Sequence, residues 1–112
     1  MNKLKIGCDL VFIPKFVDSA KQGNGTFLEK LFTSYELAQE PTYESLAGVF
    51  AVKEAFLKAS GLKFDSWHQM EVYKLASGKP VLHFPTDIHY ESIDISISHD
   101  GDYAMAVVVI MG

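Results

Sequence analysis

The chain has 112 residues, enough for one domain around one hydrophobic core. It is 48% hydrophobic and 21% charged, which excludes a disordered tail. Fourteen acids face ten bases, every base is lysine, and the net charge is −4; an acidic, arginine-free chain argues against nucleic-acid recognition, which leans on arginine forks and basic surfaces.

Any phosphate held here must be met by lysine, metal or backbone. The charge is uneven. Residues 1–30 carry five lysines and three acids, and residues 31–112 carry five lysines and eleven acids, so a basic first third sits on an acidic body. Cys8 is the sole cysteine, so no internal disulfide forms. The lysine-bearing start resembles a signal peptide, but Asp9 interrupts the apolar stretch and no small-residue cleavage site follows. No run reaches the roughly 18 apolar residues of a membrane span. The expectation is a cytoplasmic protein of one domain, residues 1–112, with no membrane or nucleic-acid partner.

Residues 4–13 predict a buried strand with Asp9 embedded in it, ended by Pro14, which cannot donate to a ladder. A short helix is expected over 16–22, a turn at Gly23-Asn24-Gly25, and a helical stripe over 26–32. Thr33 and Glu36 fit a capping box, opening a short helix that should end near Pro41. Residues 45–60 are the strongest helix, with Ser45 as its cap and Gly61 closing it. The pattern then changes to strands. Residues 69–75 and 81–84 should pair as a hairpin around Ser77-Gly78-Lys79-Pro80. Ile93, Ile95 and Ile97 alternate with polar residues, and the Asp100-Gly101 turn leads to an apolar central strand over 103–110. Helices early and antiparallel strands late predict an α+β fold, a sheet packed against a long central helix.

The central helix is apolar except for Lys53, Glu54, Lys58 and Ser60. At 100° per residue, Lys53, Glu54 and Lys58 fall within about 140°, one narrow charged strip. Two readings stay open for the Glu54–Lys58 pair: an i,i+4 surface salt bridge, or charges retained in a partly buried setting because they are used. Asp9 is likewise either a strand-end residue accepting backbone donors or a metal ligand. Two carboxylates with water and phosphate oxygens suit Mg²⁺. His99 either serves the adjacent turn or orients a phosphate.

Taken in order, several segments resemble one family. They are Ile6-Gly7-Cys8-Asp9-Leu10, Phe32-Thr33 with Glu36-Leu37, Leu46 through Ala59, Gly78-Lys79-Pro80, and Ser96-Ile97-Ser98-His99. The chain resembles the holo-[acyl-carrier-protein] synthase family of 4′-phosphopantetheinyl transferases over essentially its whole length. The resemblance implies transfer of the 4′-phosphopantetheine arm of coenzyme A to a carrier-protein serine, releasing adenosine 3′,5′-bisphosphate. It implies Asp9 and Glu54 as Mg²⁺ ligands, and Glu54, Lys58 and His99 as catalytic residues. It implies Lys15, Lys58, Gly78, Lys79, Pro80 and His99 as coenzyme A contacts. It also implies a homotrimer with sites between subunits and an acidic carrier protein docking on the basic first third. The sequence departs from the family at Lys15 and Val49, where arginines are usual. That departure keeps a second expectation open, a catalytically weak or inactive member that binds coenzyme A or a carrier protein. A third is a small structural domain whose charged strip is only a salt-bridged face.

Overall fold

The structure, a computed structural model, describes residues 3–40 and 42–112. Strand β1 (Leu4–Phe12) runs directly into helix α1 (Ile13–Gln22). Pro14 stops the strand as expected, but the helix begins at Ile13 and not at residue 16. A proline in the first turn forfeits only an N–H that has no helical partner, so Pro14 opens α1. Helices α2 (Thr26–Leu31) and α3 (Ser34–Gln39) follow. The capping box forms: Glu36 N–H donates to Thr33 Oγ1 at 3.2 Å, and Thr33 N–H donates to Glu36 Oε1 at 2.8 Å. The expected stop at Pro41 lies outside the described residues.

Helix α4 (Tyr43–Ser60) begins earlier than the sequence suggested. Its cap is Thr42 and not Ser45; Thr42 Oγ1 accepts the Ser45 N–H at 3.0 Å. The longer start places Glu44 in the first turn, where the helix dipole favours a negative charge. Gly61 closes the helix as expected. A 3₁₀ turn (Trp67–Gln69), capped reciprocally by Ser66 and Gln69, takes up the residues where a strand from 69 was expected. The strand is therefore shorter, β2 (Glu71–Lys74), and pairs with β3 (Pro80–His83) as a hairpin. Strands β4 (Ser92–Asp100) and β5 (Tyr103–Met111) complete a three-stranded antiparallel sheet in the order β1-β5-β4. The α+β expectation holds, with β5 central.

Helix α4 covers one face of this sheet. Period-2 alternation sends Gly7, Asp9 and Val11 of β1, and Ala104, Ala106, Val108 and Ile110 of β5, toward the helix. Two glycines set the distance between the layers. A Cβ at Gly7 would stand 2.0 Å from the Ala55 carbonyl oxygen and 2.7 Å from the Ala59 nitrogen. The helix meets it with Ala51, Ala55 and Ala59, four residues apart and buried, so β1 lies almost on the α4 backbone. Near the other end of the helix, a Cβ at Gly48 would stand 3.0 Å from Ile97 and 3.2 Å from the His99 ring. Helix α4 thus crosses from β4 at its start to β1 at its end.

The expected charged strip is corrected in one respect. Lys53 is not on it; the side chain is 0% exposed. Its Nζ donates to Glu36 Oε1 at 2.7 Å and to the Leu31 carbonyl at 2.8 Å, and lies 3.4 Å from the Trp67 carbonyl. Glu36, also 0% exposed, accepts the Val72 N–H at 2.7 Å. Burial pushes the Lys53 ammonium below the usual lysine range, opposed by its contact with Glu36. The lysine turns inward because α3 offers it a carboxylate that periodicity within α4 does not reveal.

The Gly7 contact yields a direct prediction. Gly7→Ala should cost about 3 kcal/mol or more, since the new methyl meets backbone and not a movable side chain. Denaturant unfolding should show a lower midpoint at unchanged slope; a loss below about 1 kcal/mol would mean β1 and α4 can separate freely.

Candidate active site

Because Gly7 seats β1 on α4, the next inward residue, Asp9, arrives beside the last turns of the helix. Lys58 Nζ donates to Asp9 Oδ1 at 3.1 Å and to the Cys8 carbonyl at 3.0 Å. Lys58 therefore pairs across to β1, in place of the i,i+4 bridge to Glu54 read from the sequence. Glu54, half-buried, lines the same groove. Burial first, then the charge of Asp9, push its carboxyl above the usual glutamate range, while Lys58 pulls the other way. Two carboxylates and one ammonium thus share an open groove of about 500 Å³ at the β1 edge of the sheet. Lys15, in the first turn of α1, joins the same groove.

The groove also has a floor the sequence reading did not assign. Phe16, Phe27 and Phe50 line it, with Phe16 5.6 Å from Phe27 and 6.1 Å from Phe50 between ring centroids. The spacing Phe50, Glu54, Lys58 is i, i+4, i+8 and held the signal for one member of that floor.

The other expected residues lie elsewhere. Gly78, Lys79, Pro80 and His99 line a second groove of about 410 Å³, at the β4 edge, together with Lys74 and Ser96. The His99 Nε2 lies 2.9 Å from the Glu44 carbonyl oxygen, which ties the ring to the first turn of α4. Lys79 Nζ lies 2.5 Å from Asp94 Oδ1 and holds that carboxyl below its usual range. Within one chain the predicted site residues are therefore two groups, on the two opposite edges of the sheet. Val49 is 0% exposed in the core and offers no contact to a ligand.

The residues present fit a hard divalent cation. Asp9 and Glu54 supply carboxylate oxygens in an open groove, and their mutual repulsion is the kind a cation relieves. Among the described residues no group of three or more His, Cys, Asp or Glu side chains is placed to hold a metal. A cation here would complete its shell with water and substrate oxygens, which is the habit of Mg²⁺.

The family model of the 4′-phosphopantetheinyl transferase superfamily matches residues 5–108. The chain is 37% identical to the holo-[acyl-carrier-protein] synthase of Geobacter sulfurreducens, covering 93% of this chain and 94% of that protein. Its fold is similar to that of the Helicobacter pylori holo-[acyl-carrier-protein] synthase in complex with coenzyme A, with a TM-score of 0.86 at 30% identity over 94% of this chain and 98% of that one. The Bacillus anthracis holo-(acyl-carrier-protein) synthase in complex with CoA (3′,5′-ADP) superposes with a TM-score of 0.80 at 29% identity, covering 96% of each chain. The chain belongs to the holo-[acyl-carrier-protein] synthase family of 4′-phosphopantetheinyl transferases, enzymes that move the 4′-phosphopantetheine arm of coenzyme A onto a serine hydroxyl of an apo acyl carrier protein.

Proposed function

We propose that residues 1–112 act as one transferase domain whose reaction centre is Asp9, Glu54 and Lys58. The observation that carries this reading is their convergence in one groove, with Lys58 bonded to Asp9 and the Glu54 carboxyl raised beside it. Asp9 and Glu54 would hold Mg²⁺, which when bound supplies neutralising charge to the pyrophosphate of coenzyme A. The serine oxygen forms a bond to the arm's phosphorus as the bond to adenosine 3′,5′-bisphosphate breaks. Lys58, half-exposed at the groove, neutralises or protonates the leaving phosphate. Glu54, or a water it holds, would take the serine proton.

The second group, Gly78, Lys79, Pro80 and His99, would receive the nucleotide end. Being on the far edge of the sheet from Asp9, it would reach a reaction centre on a neighbouring chain and not its own. Contacts between unlike edges are heterologous, and they form a ring when the rotation closes. The sheet face away from α4 supports such a ring, here a homotrimer. Leu4, Ile6 and Leu10 are 68%, 67% and 61% exposed there, with Tyr103 and Met105 beside them. The acidic carrier protein would dock on the first third, where Lys15 and Lys21 face outward on α1 and Lys30 on α2. The free thiol of Cys8 is consistent with a cytoplasmic setting.

Incubation with coenzyme A, Mg²⁺ and a panel of apo carrier proteins should add the arm's mass to one carrier serine. Asp9→Ala and Glu54→Ala should each lower transfer about a thousandfold; near-native activity in either would remove the metal assignment. A chain that binds coenzyme A tightly and never turns over would instead support the non-catalytic member.

Glu54 also has a stability signature without metal. Its folded carboxyl binds a proton more tightly than the unfolded one does, so its contribution is greatest at low pH. That contribution is lost as pH rises through the raised value. Glu54→Gln should flatten this fall and stabilise the metal-free chain at neutral pH by about 0.5–1 kcal/mol while ending transfer. Thermal melts across pH 4–8 check it; an unchanged pH profile would show that burial and Asp9 do not raise the Glu54 carboxyl.

A further inference from the structure

We propose that the buried pair Glu36–Lys53 is a positioning device for the transfer reaction, fixing the rotation of α4 that aims Glu54 at Asp9. This inference rests on the assignment of Glu54 above. Helix α4 is apolar on most of its circumference, with alanine and valine at many buried positions, and such a surface specifies rotation only loosely. Lys53 is the one buried charge on it. Its ammonium is drawn toward three separate elements, through Glu36 on α3, the Leu31 carbonyl at the end of α2, and the Trp67 carbonyl in the 3₁₀ turn. Those contacts converge from different directions, so they hold the azimuth of residue 53. Glu54 is the next residue, and its direction follows at 100°. At a side-chain radius of about 5–6 Å, a rotation of roughly 20° would carry the Glu54 carboxylate about 2 Å. Misplacement by about 1 Å in a positioned site can cost a hundredfold in rate.

The same carboxylate reaches the second group. Glu36 Oε2 accepts the Val72 N–H of β2 at 2.7 Å. Two more tethers run between the α3 region and that strand. Thr33 Oγ1 donates to Glu71 Oε2 at 2.7 Å, and Lys74 pairs with Glu40 at 3.2 Å. The β2–β3 hairpin carries Gly78-Lys79-Pro80 in its turn and at the start of β3. One buried glutamate therefore links the helix bearing Glu54 to the hairpin bearing Lys79. An apolar pair of similar volume would fill the space equally well without directing either element.

The test compares Lys53→Met with the double variant Lys53→Met/Glu36→Gln, using the full chain with coenzyme A, Mg²⁺ and an apo carrier protein. The single variant strands a buried carboxylate and should melt far below the wild type. The double variant removes both charges, and the amide oxygen at position 36 can still accept one of the two backbone N–H groups that Glu36 holds, so part of the melting temperature should return. Its kcat should stay at least tenfold down, with the Mg²⁺ concentration for half-maximal rate raised severalfold. Lys53→Gln, which keeps a donor for Glu36, carries the same readouts if the double variant does not fold. A folded variant with wild-type kcat and wild-type Mg²⁺ dependence would overturn the inference and leave the pair a purely structural contact. A wild-type chain that transfers nothing would instead defeat the assigned reaction centre, and this inference with it.

Discussion

The fold turns on a lysine and a glutamate removed from water. Desolvating Lys53 and Glu36 costs several kcal/mol per ion unless every remaining hydrogen-bonding position is met. Here they are met: the ammonium has a carboxylate and backbone carbonyls, and the carboxylate has the amides of Thr33 and Val72 besides the lysine. Among the described residues no buried side-chain nitrogen or oxygen lacks a partner. The partners come from α2, α3, α4, the 3₁₀ turn and β2. The pair is satisfied only when those elements are all in place, so it ties the helical first half to the hairpin that follows. The ring of Phe32, with its centroid 5.4 Å from the ammonium, closes the remaining side.

With α4 held on that side, its opposite side meets the sheet through small residues. The Ala51, Ala55, Ala59 ridge and Gly7 give β1 its close seat, and Gly48 gives His99 its place. These contacts deliver Asp9 to Glu54 and Lys58. The result is a concentration of charge the fold itself does not need, since burial and the charge of Asp9 both disfavour an ionised Glu54. Sites that oppose stability locally while the surroundings hold them in place are where function is expected. The like-charged pair and the exposed apolar face of the sheet are the two such features here. On the proposed assembly a cation relieves the first and neighbouring chains cover the second.

Much of this was legible in the sequence because it is local. The Thr33–Glu36 box, the Gly61 stop and the alternation of Ile93, Ile95 and Ile97 depend on residues a few positions apart. The conflict of Asp9 with its apolar surroundings was also visible, and it pointed to the groove that Asp9 lines with Glu54 and Lys58. What periodicity could not supply was partnership between distant segments. Lys53 looked like a member of a solvent strip because its partner lies on α3. Lys58 looked like the partner of Glu54 because Asp9 is far away in sequence. Ser45 was a plausible cap until Thr42, three residues earlier, accepted its N–H. Sequence could gather Asp9, Lys79 and His99 as one list, but only strand order separates them to two edges of a sheet.

That separation is the central claim. On the proposed assembly a chain without arginine would meet coenzyme A with lysines on two surfaces, and a whole site would need both. Co-expression of Asp9→Ala chains with His99→Ala chains tests it most directly. Each variant alone should be inactive, one for want of the metal side and the other for want of the nucleotide side. If sites form between neighbouring chains of a ring, random mixed assemblies should recover about a quarter of wild-type transfer, because that share of interfaces joins two intact halves. Mixed assemblies as inactive as their parents, despite confirmed co-assembly, would place both groups in a single chain's site and contradict the account.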